Sequence, residues 1–162
     1  MKEILDKISS YNLFNYLLPG IIFALAVEKL TGYPLLGGDI IVNAFVAYFT
    51  GLVVSRFGSL VVEPILRKVR LVKFVNYSEY VKASKKDPKI ELFSEINNSY
   101  RTLSSMLILT LLLTGWEFVE YKWIVLKGIS PYLLLGSLIV MFLYSYKKQT
   151  EYIIKRVALN HK

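Results

Sequence analysis

The sequence predicts an all-α integral membrane protein. Four transmembrane helices are expected, with both termini cytoplasmic and helical cytoplasmic extensions of the second and third spans. Three observations lead there. First, the stretches 8–27, 40–55, 102–116 and 129–146 hold no charged side chain, and each is mostly apolar. A helix crosses hydrocarbon with roughly 20 mostly apolar residues. The outer two stretches meet that length, and the middle two reach it once a flanking charged side chain extends to the headgroups. Second, the 162 residues are 54% hydrophobic with a mean hydropathy of +0.45, above the ~45–50% apolar content of soluble domains. Third, of the 20 Lys and Arg residues only Lys29, Lys122 and Lys127 fall in the two short connections. The excess of basic residues stays cytoplasmic. One membrane domain thus covers 1–162, with spans near 8–28, 40–60, 101–119 and 129–147 and a cytoplasmic helical module at 64–100. The expected location is a bacterial inner membrane.

The first span has Ser9 or Ser10 available as its cap. Pro19-Gly20 falls near its middle, where a proline removes a backbone hydrogen bond; it is either a plain kink or a hinge or constriction. Ala24-Leu25-Ala26 has the small-residue form of a signal cleavage site, but Glu3 and Asp6 offset Lys2 and Lys7, so the segment is expected to be retained. Thr31 to Pro34 and Gly37-Gly38 read as a turn. The second span enters at Ile40, passes Arg56, stays apolar through Val62 and ends at Glu63-Pro64. A basic helical or near-helical stretch follows, with Arg67, Lys68, Arg70 and Lys73. Residues 74–83 alternate aromatic, apolar and polar side chains, and Ser84 to Lys86 read as a break.

Asp87-Pro88 is a helix start. Ile90, Phe93, Ile96, Tyr100 and Leu103 then lie on one helical face. One helix from Pro88 to about Trp116 would carry roughly 20 Å of its length into the cytoplasm. Trp116, Phe118, Tyr121 and Trp123 crowd the second external loop as an interfacial aromatic belt. Tyr11, Tyr16, Tyr144 and Tyr146 form the inner one. The fourth span begins at Ser130-Pro131 and ends at Lys147-Lys148, followed by an amphipathic tail with Tyr152, Ile153, Ile154 and Val157.

Catalysis finds no support. The one histidine, His161, is second from the end, and no glycine loop, nucleophile elbow or metal-spaced acidic or histidine pair is present. The absence of cysteine removes disulfides, thiolate metal sites and cysteine nucleophiles. No cofactor and no metal are expected. No carboxylate lies near the centre of a span, which argues against a proton-coupled small-solute transporter.

The sharpest pattern is in the second span, where Asn43, Ala47, Gly51, Ser55 and Ser59 recur at steps of four. Small residues mark helix contacts in membranes. Packing within one chain, a subunit interface and a pore wall remain open for this stripe. Arg56 lies inside the apolar run, where an ionisable group either snorkels or marks function; Glu63 falls two turns on, suited to pairing across subunits. Asn12, Asn15, Thr110 and Thr114 read as structural, with threonine hydroxyls returned to the helix backbone. Arg67, Lys68, Arg70 and Lys73, then Lys82, Lys85, Lys86 and Lys89, are interleaved with Phe74, Tyr77 and Tyr80. Such a loop reads either the anionic lipid surface or a phosphate-bearing ligand.

The run Ser10-Tyr11-Asn12-Leu13-Phe14-Asn15-Tyr16-Leu17-Leu18-Pro19-Gly20, the Arg56-to-Pro64 exit of the second span and Ile96-Asn97-Asn98-Ser99-Tyr100-Arg101 after the basic loop resemble small four-span membrane subunits of bacterial anti-phage defence systems of the Hailong or Kiwa type. The resemblance is architectural and covers most of the chain. It implies a homo-oligomeric effector, a tetrameric channel held shut until a phage signal arrives. In the Hailong case it also implies a partner nucleotidyltransferase and an oligonucleotide ligand.

The expected function is therefore a homo-oligomeric membrane pore, gated from the cytoplasm by an anionic ligand or protein partner. Alternatives are a non-conducting anchor that recruits a cytoplasmic partner through residues 74–101 and, less favoured, a small-solute transporter. The lipid bilayer and further copies of the chain are the expected partners; duplex DNA is not.

Overall fold

Residues 12–160 are described by the structure, a computed structural model, and they are helical apart from connections at 31–39, 69–76, 87–88 and Trp123. Among the described residues there are five helices: α1 (Leu13–Leu30), α2 (Ile40–Lys68), α3 (Tyr77–Lys86), α4 (Lys89–Lys122) and α5 (Ile124–Asn160). No strand occurs among the described residues. Four helices, α1, α2, α4 and α5, are long and apolar enough to cross a membrane. The expected caps Ser9 and Ser10, the charges of the first seven residues, Tyr11 and His161 lie outside the described residues.

Two prolines shape the first two spans. Leu13–Leu17 of α1 and Gly58–Val62 of α2 are π-helical turns, each followed within two residues by a proline, Pro19 and Pro64. The Leu18 N–H bonds the Leu13 carbonyl, and the Glu63 N–H bonds that of Gly58. A proline ring collides with the carbonyl four residues earlier. Widening the preceding turn removes that collision without ending the helix. Pro19 is therefore accommodated in a continuous helix, fully buried.

α1 and α2 touch backbone to backbone. A Cβ on Gly20 would stand 1.8 Å from the Ala47 carbonyl oxygen, and one on Gly51 1.8 Å from that of Tyr16. Such approach is how membrane helices gain dispersion contacts where lipid removes the hydrophobic drive. α4 closes on α2 through side chains, with Gly58 facing those of Ser105 and Arg101. Phe23 and Val27 of α1, Val54 of α2 and Met106 of α4 form the core, and Tyr33 and Leu35 of the α1–α2 connection pack on it. α5 stands outside this core: none of its described side chains is buried.

Three expectations are corrected. α4 runs on to Lys122, so Trp116, Phe118 and Tyr121 stand on a helix and the connection between α4 and α5 shrinks to Trp123. Residues 117–122 contain neither glycine nor proline, and Glu117 and Glu120 find partners from other elements, so nothing stops the helix there. α5 begins at Ile124, before Ser130-Pro131, and Pro131 lies inside it. Ser84 to Lys86 do not break the chain but complete α3. Asp87 then accepts a hydrogen bond from the Lys89 N–H at 2.9 Å and starts α4.

Candidate functional site

Two polar clusters tie the helices together, one at each end. The first is built on Glu63, just past the π turn of α2. Arg101 of α4 donates from Nη1 to Glu63 Oε2 at 2.8 Å. Lys148 of α5 lies 3.6 Å from Glu63 Oε1 and donates to both the carbonyl and the hydroxyl of Ser59, each at 2.8 Å. One carboxylate, 12% exposed, thus holds cations from two other helices. Arg101 Nε is buried with no hydrogen-bond partner. Beside this latch an open cleft of about 450 Å³ is lined by Glu63, Arg67, Lys148, Glu151, Tyr152 and Lys155, among others. Arg67 sits over the Phe74 ring at 5.5 Å, Lys155 over Tyr152 at 5.9 Å, and Tyr152 packs on Tyr77 of α3 with centroids 5.5 Å apart.

The second cluster is built on Glu120, 4% exposed near the end of α4. Tyr33 donates its hydroxyl to Oε2 and Ser130 its hydroxyl to Oε1. Trp116 Nε1 is 2.9 Å from Oε1 and 3.0 Å from Ser130 Oγ. Glu117 accepts from the Gly32 N–H at 2.7 Å. The α1–α2 connection, the end of α4 and the start of α5 meet here. Arg101 and Glu120 stand 19 residues apart on α4, a rise of about 28 Å. That is close to the ~30 Å thickness of bilayer hydrocarbon.

The second-span stripe is spent inside the chain. Ala47 and Gly51 are buried against α1. Ser55 receives the Thr102 hydroxyl at 3.5 Å, and Ser59 receives Lys148. Asn43, at the opposite end, closes the turn by bonding both backbone groups of Gly38. Pro19 is buried in the chain's own packing. Arg56 is half-buried and makes no ion pair among the described residues. Glu63 finds its partners within the chain.

Thr110 and Thr114 return their hydroxyls to the carbonyls of Met106 and Thr110, each at 2.9 Å. Of the basic residues expected to bind an anion, only Arg67 joins the cleft. Lys68, Arg70, Lys73, Lys82, Lys85 and Lys86 are exposed and apart from it, with Arg70 at a positive φ of 61° in the turn after α2.

Sequence reasoning missed Arg101, Lys148 and Glu120. A signal existed for the first two: each is among the first charges met on leaving its apolar stretch on the basic side, as Glu63 is, so all three reach one depth. Among the described residues no group of three or more His, Cys, Asp or Glu could hold a metal ion. Comparison with protein-family models, with curated proteins and with solved structures finds no match for the chain.

Proposed function

We propose that the chain is one subunit of a homo-oligomeric membrane pore in a bacterial inner membrane, opened from the cytoplasmic side by an anionic ligand or partner. α5 is its moving element. The observation that carries this is how α5 is attached. It is pinned by polar contacts near both ends, Ser130 to Glu120 and Lys148 to Ser59 and Glu63. Between them no side chain is buried, and the ring contact of Phe49 with Phe142 is 6.1 Å between centroids. A helix held by few packed contacts opens at low free energy, and an element with two arrangements is what gating requires.

The lysine and arginine bias supports placing the Glu63 latch at the cytoplasmic face. Unused small residues support assembly through α5 and the end of α4. A Cβ at Gly115, Gly128 or Gly136 would meet nothing within 4 Å, whereas Gly20, Gly51 and Gly58 are filled inside the chain. A tetramer is the favoured stoichiometry, and the defence role attached to the pore comes from the resemblance alone. The test is purified protein in detergent and in liposomes. Mass photometry above the monomer together with conductance upheld by single-channel recording supports the proposal; a monomer that never conducts overturns it.

The exposed lysines of α3 favour a second reading, an anchor for an acidic cytoplasmic partner. Deleting 77–86 would then abolish capture of that partner and leave membrane insertion intact.

A further inference from the structure

The cleft between the ends of α2 and α5 has more cationic capacity than the latch uses. Glu63 and Arg67 line its α2 wall and Lys148, Glu151 and Lys155 its α5 wall, and Arg101 stands behind Glu63. Both oxygens of Glu63 are already engaged, by Arg101 and Lys148. Arg67 and Lys155 make no ion pair among the described residues. Each instead rests over an aromatic ring. A cation over a ring uses its face and keeps its N–H donors free, and a guanidinium in that pose presents a two-pronged edge matched to phosphate oxygens. Tyr152 lines the same cleft and carries a neutral hydroxyl donor.

Position gives the second argument. The apolar stretch of α5 ends at Tyr146, and Lys147-Lys148 follow, so the cleft lies at headgroup depth in a chain inserted through that stretch. Leu60 and Pro64 supply apolar wall beside the cations. Basic pockets between helices at this depth hold anionic headgroups.

We propose that this cleft is a phosphate-binding site, in which Arg67 and Lys155 grip the phosphate of an anionic lipid headgroup or of a soluble phosphate ester, with Tyr152 as an additional donor. Phosphate in the cleft competes with Glu63 for Lys148 and loosens α5; that consequence rests on the pore reading, whereas binding does not.

The experiment uses the full chain purified in uncharged detergent. Native mass spectrometry reads retention of phosphatidylglycerol against phosphatidylcholine, and inorganic pyrophosphate is added as competitor. The wild type should retain phosphatidylglycerol preferentially. R67Q/K155Q should weaken that retention by about fivefold per cation removed, roughly 25-fold together, while K82Q/K85Q/K86Q stays within about twofold because those lysines lie away from the cleft.

Displacement by pyrophosphate would establish that soluble phosphate enters the same site. Retention unchanged by pyrophosphate would assign the site to the lipid headgroup. Equal retention of the two lipids without pyrophosphate binding, or undiminished retention by a folded R67Q/K155Q, overturns the proposal. Both variants leave Glu63, Arg101 and Lys148 in place, so a common melting temperature with the wild type separates loss of the site from loss of the fold. Dye release from liposomes holding the same protein is scored separately: binding without release keeps the site and removes the pore.

Discussion

Gly20 and Gly51 are the positions where the chain has least room for any other side chain, because each faces a carbonyl of the opposing helix rather than a movable side chain. Gly20→Ala or Gly51→Ala should therefore cost about 1–3 kcal/mol by overpacking. Gly136→Ala, with nothing in reach, should cost nothing and gain up to ~1 kcal/mol of helix propensity. Thermal unfolding in detergent checks the contrast; equal melting temperatures for all three variants would contradict the α1–α2 contact. Glu120 offers a second test. Glu120→Ala leaves the Tyr33 hydroxyl without its acceptor in a buried site, a loss of about 1–3 kcal/mol, although Trp116 keeps Ser130 Oγ and Ser130 keeps the Leu126 carbonyl, while Glu120→Gln keeps an acceptor and loses less. Fluorescence of Trp116 on unfolding reports both.

At the scale of elements, the latch decides whether α5 stays on the bundle. Removing one member of a buried ion pair costs ~3–5 kcal/mol because a charge is stranded. Lys148 is 29% exposed, so water compensates part of that, and Glu63→Gln should cost about 1–3 kcal/mol. Hydrogen exchange should rise in α5 beyond Lys147 and stay unchanged in α1; protection of α5 equal to the wild type would show that packing alone holds it.

The spans themselves were legible, because a missing charge is a local property of sequence. The latch was not, because Glu63 pairs with residues 38 and 85 positions away and only packing decides which cations at one depth meet. The stripe shows the converse. Its spacing correctly marks a contact face, but the same spacing serves a neighbour helix of the same chain, another subunit or a pore. The end of α4 was misread because aromatic crowding marks an interface without saying whether the backbone there is helix or loop.

At the scale of the whole molecule, the asymmetry of charge fixes the expected orientation. The chain has no cysteine, so single introduced cysteines report position cleanly. G37C should react with a membrane-impermeant maleimide in intact cells, and K86C only after permeabilisation; the reverse pattern would invert the topology. The two polar clusters bracket a slab close to hydrocarbon thickness, and α5 crosses it with the fewest internal contacts. The proposed gate is closed by the latch and opens when the latch fails. The most direct measurement is dye release from liposomes carrying equal amounts of wild type or E63Q, with insertion and folding verified for both. A latch-gated pore releases dye at least about tenfold faster with E63Q, the factor that ~1.4 kcal/mol of lost closure supplies. Folded, inserted E63Q that leaks no faster than the wild type would contradict it.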